Sequence, residues 1–304
     1  MRAAAYFAVV SALALWAGNW IVARAVRDDI SAGFITIGRC VLVMLALAPF
    51  ALPGLAARLR VLRARDWAVL AGLGLFGGGL HNAMQYLGLQ WTTATNGTLF
   101  FSLSPVTIML LAGAVLAERI GPRQWIGVAI SFTGVLLIAL RGEAAAALGL
   151  SFNPGDLLCL ASMFMWSAYT ICLRLRRETL EPLQILFMVC AFGFFTLLPW
   201  LAWDLAHDPR AHFSRNGVLA LLYSAVGSLI VAYACWNYAV SRLGAARTGA
   251  FSHLLPAFGV LFAALFLGEN PAWYHFTGMA LILAGVGLSS SGRRLTASSA
   301  SSSP

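Results

Sequence analysis

The feature that most limits how this chain can fold is the spacing of its charges. Residues 3–23, 40–57, 124–140, 157–173, 182–203, 216–241, 248–268 and 270–292 contain no Asp, Glu, Lys or Arg, and neither does the 51-residue stretch 67–117. A bilayer core is crossed by about 20 apolar helical residues. Eight of the stretches therefore hold one crossing each. The ninth is long enough for two and has a polar centre, Gln90 to Asn96. Ten spans are predicted, near 4–26, 31–52, 67–88, 94–117, 123–141, 155–174, 183–203, 217–240, 246–267 and 273–291. The runs are unbroken and longer than the alternating 9–11-residue strands of a membrane barrel, for example Leu261 through Leu267. A helix also satisfies its own backbone in lipid. The expected fold class is an all-α integral membrane protein. Arg2 and Ala12-Leu13-Ala14 imitate a signal peptide, but the apolar run continues to Val22, so the first span is expected to remain.

Of 304 residues 60% are hydrophobic and 10% charged, too apolar to cover a water-exposed surface. All 20 cationic residues are Arg. With no Lys there is no Schiff-base attachment for retinal or pyridoxal phosphate and no phosphate-loop lysine, and no cofactor is expected. The net charge of +9 reflects topology rather than nucleic acid. With both termini in the cytoplasm, 14 Arg fall on the cytoplasmic side, 5 outside, and Arg39 lies within the second span. The inner side is where anionic lipid meets them. The Ser-rich tail, 291–304, is expected to be disordered. The five Cys form no CxxC and fall within spans as small packing residues.

The chain repeats itself. Pro105 and Pro256, Glu118 and Glu269, Gly127 and Gly278, and Gly134 and Gly285 are each 151 residues apart; Trp16 and Trp166 are 150 apart. Residues 1–150 and 151–290 thus read as two five-span copies. Five is odd, so the second copy enters the membrane inverted, the arrangement of secondary transporters with a substrate path between the copies. The resulting expectation is ten transmembrane helices as two inverted five-helix repeats.

The residues that carry a family resemblance are Leu15-Trp16-Ala17-Gly18-Asn19-Trp20, Gly38-Arg39, Leu103-Ser104-Pro105 through Ala117-Glu118-Arg119, Gly127 through Gly134-Val135, and Leu255-Pro256 through Leu267-Gly268-Glu269. In order and doubling they resemble the ten-span EamA-type permeases of the drug/metabolite transporter superfamily over about residues 4–290. The resemblance implies a bacterial-type inner-membrane permease, often an exporter of amino acids or other small metabolites.

Candidate substrate-binding residues are the polar and aromatic side chains inside spans, which must find partners in protein or water. Arg39 is the only permanent charge within a span, and such residues face inward and mark pathways. His81 and Gln85 share one face of span three; Tyr233, Trp236 and Asn237 do so in span eight. Trp16 and Asn19 lie one turn apart in span one, as do Trp166 and Tyr169 in span six, and His253 precedes Pro256 in span nine. Interhelical bonding is the plainer reading of each alone; as a set they point to a shared cavity. Pro105 and Pro256 are expected to kink spans four and nine and shape that cavity. Glu118 and Glu269 are expected to cap spans five and ten. Gly74 and Gly78 form a GxxxG suited to close helix packing.

With no carboxylate expected mid-span, a multidrug cation pump is disfavoured. The reading is alternating-access transport of small neutral, zwitterionic or anionic solutes, with Arg39 or a His meeting a carboxylate. The expected partners are a small-molecule substrate and membrane lipid. The rival is a lipid-modifying membrane enzyme, for which the outer segment with Asp204, His207, Asp208 and His212 is the nearest candidate metal cluster.

Overall fold

In a computed structural model, residues 2–26, 28–91, 100–101, 103–140, 142–143, 154–176, 180–208, 210, 214–267 and 272–290 are described. Most of them are helical, with no strand among them. The first copy contains α1 (Arg2–Ala25), α2 (Ala32–Ala51), the short α3 (Leu55–Arg60), α4 (Ala64–Leu73), α5 (His81–Trp91), α6 (Ser104–Leu116) and α7 (Pro122–Ala139). The second contains α8 (Pro154–Leu175), α9 (Pro182–His207), α10 (Arg215–Tyr223), α11 (Ala232–Leu243), the short α12 (Ala245–Ala250), α13 (Leu254–Leu267) and α14 (Trp273–Ser290). Helical stretches overlap each of the ten expected spans. Among the described residues, five are single runs long and apolar enough to cross a membrane: Ala3–Ala23, Ala32–Ala51, Pro154–Leu175, Pro182–His207 and Arg215–Leu243. The tail at 291–304 and Glu269 lie outside the described residues.

Helix starts follow local chemistry. Ser31 Oγ accepts from the Phe34 amide and Ser214 Oγ from the Gly217 amide, at 3.2 and 2.9 Å. Pro122 and Pro182 occupy first helical positions, where a missing N–H costs nothing. Outer faces are apolar: Phe7 is 75% exposed and Leu45, Phe195 and Leu265 are each 67% exposed, as suits lipid rather than water.

The 151-residue period reappears in the backbone. Between α4 and α5 the chain widens into a π-helical stretch, Gly74–Leu80; between α10 and α11 it does so again, Ser224–Val231. Both rods begin 151 residues apart (Ala64, Arg215) and return to α-helix 151 residues apart (His81, Ala232). The freed carbonyls are used. Gly77 O accepts from Asn82 Nδ2 (2.7 Å) and Tyr233 Oη (2.9 Å), and Ser228 O accepts from Trp16 Nε1 (3.0 Å).

The most extensive helix pairs join one copy to the other. α5 packs on α8 as α11 packs on α1; α6 meets α8 as α13 meets α1; α9 lies against α2; and α7 lies along α14. The last pair is stacked through glycine. A Cβ on Gly127 would come within 2.5 Å of Gly285 O, and one on Gly134 within 2.5 Å of Gly278 O. Low numbers meet high, so α7 and α14 are antiparallel. Gly278 and Gly285 are the second-copy counterparts of Gly127 and Gly134, so exchanging copies maps the contact onto itself. A two-fold axis relating antiparallel helices is perpendicular to them. The fold is thus a two-repeat, all-α membrane protein.

Pro105 lies in the first turn of α6, and Pro256 in the first turn of α13, after a 3₁₀ turn at Phe251–His253. Each sits at an interruption of its expected span, Pro105 after the turn at Leu103 that follows helical Phe100 and Phe101, and Pro256 after the 3₁₀ turn that joins α12 to α13. One expectation needs correction. Glu118 does not cap α7, whose cap is Gly121 with Gln124 Oε1 accepting the Gly121 amide (3.1 Å). Its carboxylate instead accepts from the Ala246 amide (3.4 Å) at the start of α12 and faces Arg174 Nε at 3.8 Å. The Gly74–Gly78 reading holds as close packing: a Cβ on Gly78 would strike the Val189 carbonyl of α9.

Candidate functional site

Between the copies lies a narrow cavity with free space of about 20 Å³ in this conformation. It is lined by Trp16, Asn19 and Trp20 of α1, Arg39 of α2, His81, Asn82 and Gln85 of α5, Phe101, Trp166 of α8, Ser228 and Tyr233. Six of these are expected site residues lying on segments far apart in sequence: Trp16, Asn19, Arg39, His81, Gln85 and Trp166. Tyr233 is a seventh.

Arg39 is 1% exposed. Its Nη1 donates to Tyr86 Oη at 3.4 Å, and its Cζ stands 5.1 Å above the Tyr86 ring. Tyr86 Oη also accepts from Asn19 Nδ2 (3.1 Å), and Asn19 Oδ1 accepts from Ser224 Oγ (2.6 Å). One edge of the guanidinium is thus held by a chain of three partners. The other edge is not: among the described residues, Arg39 Nε and Nη2 have no hydrogen-bond partner. Nε and Nη2 form the side-on fork that fits a carboxylate with two parallel bonds. A buried cation with that fork unused is costly unless an anion or water fills it.

His81 is fixed beside it. Nδ1 lies 2.9 Å from the Ser162 carbonyl, which can only accept, so Nδ1 carries the proton and Nε2 of the neutral ring is an acceptor. The His81 ring sits 5.0 Å from Trp166. Trp166 is the hub of an aromatic cluster, 5.0 Å from Trp16, 5.1 Å from Tyr169, 5.2 Å from Trp236 and 5.6 Å from Tyr233. Among the described residues the Trp166 indole N–H is also without a partner.

Four expected residues stand apart from the lining. Tyr169 and Trp236 form the second layer of the aromatic cluster, and Tyr169 Oη donates to Asn237 Oδ1 at 2.6 Å. His253 is fully buried elsewhere, hydrogen-bonded to Ser131 of α7 with Phe132 alongside. Depth along a span can be read from sequence, but the 3₁₀ turn ending at His253 rotates its side chain onto α7. Pro105 and Pro256 do not line the cavity either. Missed in turn were Trp20, Asn82, Phe101 and Ser228. Trp20 lies four residues from Trp16 and carried a helical signal; Ser228 sits in a π-helical stretch that no sequence signal marked.

Two buried acids occur among the described residues, and neither lines the cavity. Asp156 sits in the first turn of α8, and Asp204 Oδ2 accepts the Gly33 amide at 2.9 Å. The segment with Asp204, His207 and Asp208 is occupied otherwise. Asp208 binds Arg210 through both carboxylate oxygens (2.9 and 2.7 Å), and His207 Nδ1 contacts Trp203 O at 2.9 Å. The side-chain bond from Arg210 holds the Asp208 carboxyl below its ordinary value. His212 lies outside the described residues. No group of His, Cys, Asp and Glu suited to a metal occurs among the described residues.

Comparison with known proteins agrees with this architecture. The chain matches the EamA-like transporter family twice, over residues 3–140 and 153–291. It is 31% identical over 226 residues to an uncharacterized transporter of Archaeoglobus fulgidus, spanning 73% of this chain and 75% of that one. It is 29% identical over 285 residues to a probable terminal-alkyne amino-acid exporter of Streptantibioticus cattleyicolor, spanning 93% and 92%. A probable amino-acid metabolite efflux pump of Escherichia coli is 26% identical over 189 residues, 59% and 61% of the two chains. A solved structure at 20% identity superimposes with a TM-score of 0.74 over 95% of this chain and 96% of that one, a likeness of fold. The chain belongs to the EamA-like transporter family: it is a multi-pass membrane transporter of small molecules rather than an enzyme.

Proposed function

We propose that this transporter moves small carboxylate-bearing solutes of the amino-acid type out of the cell by alternating access. In this reading residues 1–150 and 151–290 are the two moving halves, the chain crosses the inner membrane ten times, and both termini and the 291–304 tail are cytoplasmic. The observation that carries the substrate assignment is the unfilled Nε–Nη2 fork of Arg39 in a cavity between the copies. Export is supported by the names of two relatives, a probable amino-acid exporter and a probable amino-acid metabolite efflux pump. The inverted arrangement supports alternating access: halves that pack through a two-fold axis can rock about it, closing one mouth as the other opens.

Purified protein in liposomes, loaded in turn with a broad panel of amino acids and related metabolites, tests this. Saturable counterflow of one or more carboxylates is expected. Absence of flux across the whole panel contradicts it.

A further inference from the structure

The size of the cavity and the charge of its lining together point to a second ligand. The free space of about 20 Å³ has room for about one water or one monatomic ion, and too little for an amino acid. This conformation is thus closed to the carboxylate solute proposed above, yet the charge on Arg39 remains. Arg39 is 1% exposed, and its Nε and Nη2 have no partner among the described residues. No acid lines the cavity with it. The chain on either side of Phe101 adds none, because 67–117 contains no Asp or Glu. The buried acids Asp156 and Asp204 lie outside the lining, Asp204 bonded to Gly33. A water would satisfy the donors but leave the charge, and an unmatched ion in a low-dielectric interior is costly.

Two further features suit a small anion. The Trp166 indole N–H, in the same lining, is another buried donor without a partner among the described residues. The backbone carbonyls that would repel an anion are engaged: Gly77 O accepts from Asn82 Nδ2 and Tyr233 Oη, and Ser228 O from Trp16 Nε1. Neither His81 Nε2 nor Gln85 Oε1 takes a hydrogen bond from the Arg39 fork.

We infer that, when no substrate is bound, the Arg39 fork holds one chloride ion, which the substrate carboxylate displaces as the cavity opens. Chloride is monatomic, so it fits the closed space, and its charge cancels that of Arg39. Its binding stands on this geometry alone; its displacement rests on the carboxylate reading.

The test uses the purified full-length transporter, with chloride, bromide and the bulkier monoanion isethionate as probes at equal ionic strength. Without substrate, about 100 mM chloride should raise the unfolding temperature in detergent by about 3 °C over isethionate, and Arg39→Gln should abolish the difference. Crystals grown with bromide should show an anomalous peak beside Arg39 Nε and Nη2. In liposomes, replacing isethionate by chloride on both sides should raise the apparent KM for a transported carboxylate about fivefold and leave the maximal rate unchanged. Equal unfolding temperatures in chloride and isethionate, a shift that persists in Arg39→Gln, or a water instead of bromide beside Arg39 overturns the inference. So does a carboxylate KM indifferent to chloride. The carboxylate reading is judged separately: if no carboxylate is transported that reading fails, while the unfolding and bromide measurements still decide the chloride site.

Discussion

Asn19 and Tyr86 of the first copy occupy the places of Tyr169 and Asn237 in the second. Both pairs are hydrogen-bonded, at 3.1 and 2.6 Å, with the residue types exchanged. Around this matched pair the copies part company. In the first, Tyr86 also carries Arg39. The second-copy counterpart position of Arg39 holds Cys190, also buried but uncharged. Trp16 gives its indole N–H to the π-helical carbonyl of Ser228. Trp166 gives its own to nothing among the described residues, because the matching carbonyl, Gly77 O, is taken by Asn82 and Tyr233. The frame is thus shared and the chemistry is one-sided. Symmetry supplies the common frame, and asymmetry places Arg39 on one side of it only.

The comparison is broken most severely at the α7–α14 contact. Gly134→Val and Gly285→Val each force a branched side chain against backbone across the two-fold. Each should destabilise the protein by about 3 kcal/mol or more, by similar amounts in either copy. Thermal unfolding in detergent checks this, and a large inequality between the two would deny the symmetric frame. The exchanged pairs sharpen the comparison. Tyr86→Phe strips an acceptor from two buried donors and should cost about 2 kcal/mol, whereas Tyr169→Phe strips one donor from a half-buried amide and should cost about 1 kcal/mol. Only the first should also weaken substrate binding, because only Tyr86 holds Arg39. Smallest is the effect at the Asp208–Arg210 pair. Asp208→Asn removes the charge and the Oδ2 acceptor that Arg210 Nη2 uses, and should cost less than about 1 kcal/mol, as partly exposed pairs do. Because Arg210 lowers the Asp208 pKa, the wild-type contribution is complete above the ordinary aspartate value of 3.8 and is lost as pH falls through the lowered value. Wild-type stability should then show no change from this pair above about pH 5, and the Asn variant should lose the acid-side decline.

Much of the fold is legible in the spacing of charges, because an unpaired ion inside a bilayer is too costly to place casually. The glycines 151 apart and the buried Arg39 each have a structural counterpart. The candidate site was legible as a set of depths: polar and aromatic residues near mid-span converged, and seven of the expected residues line one cavity. What stayed hidden was rotation about helix axes. His253 is as polar and as deep as His81, yet a 3₁₀ turn aims it at Ser131. The π-helical stretches that expose Gly77 O and Ser228 O have little in common in sequence, Gly-Leu-Phe-Gly-Gly-Gly-Leu against Ser-Ala-Val-Gly-Ser-Leu-Ile-Val. They pack against α9 and α2, contacts made with residues distant in sequence.

The central claim is that Arg39 is held for a ligand rather than for stability. Arg39→Ala in the full-length protein, assayed for carboxylate counterflow in liposomes and for thermal unfolding in detergent, tests it most directly. Removing a buried cation with half its donors unpartnered should leave the unfolding temperature unchanged or raise it, while counterflow falls by about a hundredfold or more. Retained counterflow with a clearly lowered unfolding temperature would make Arg39 a structural tie and contradict the account.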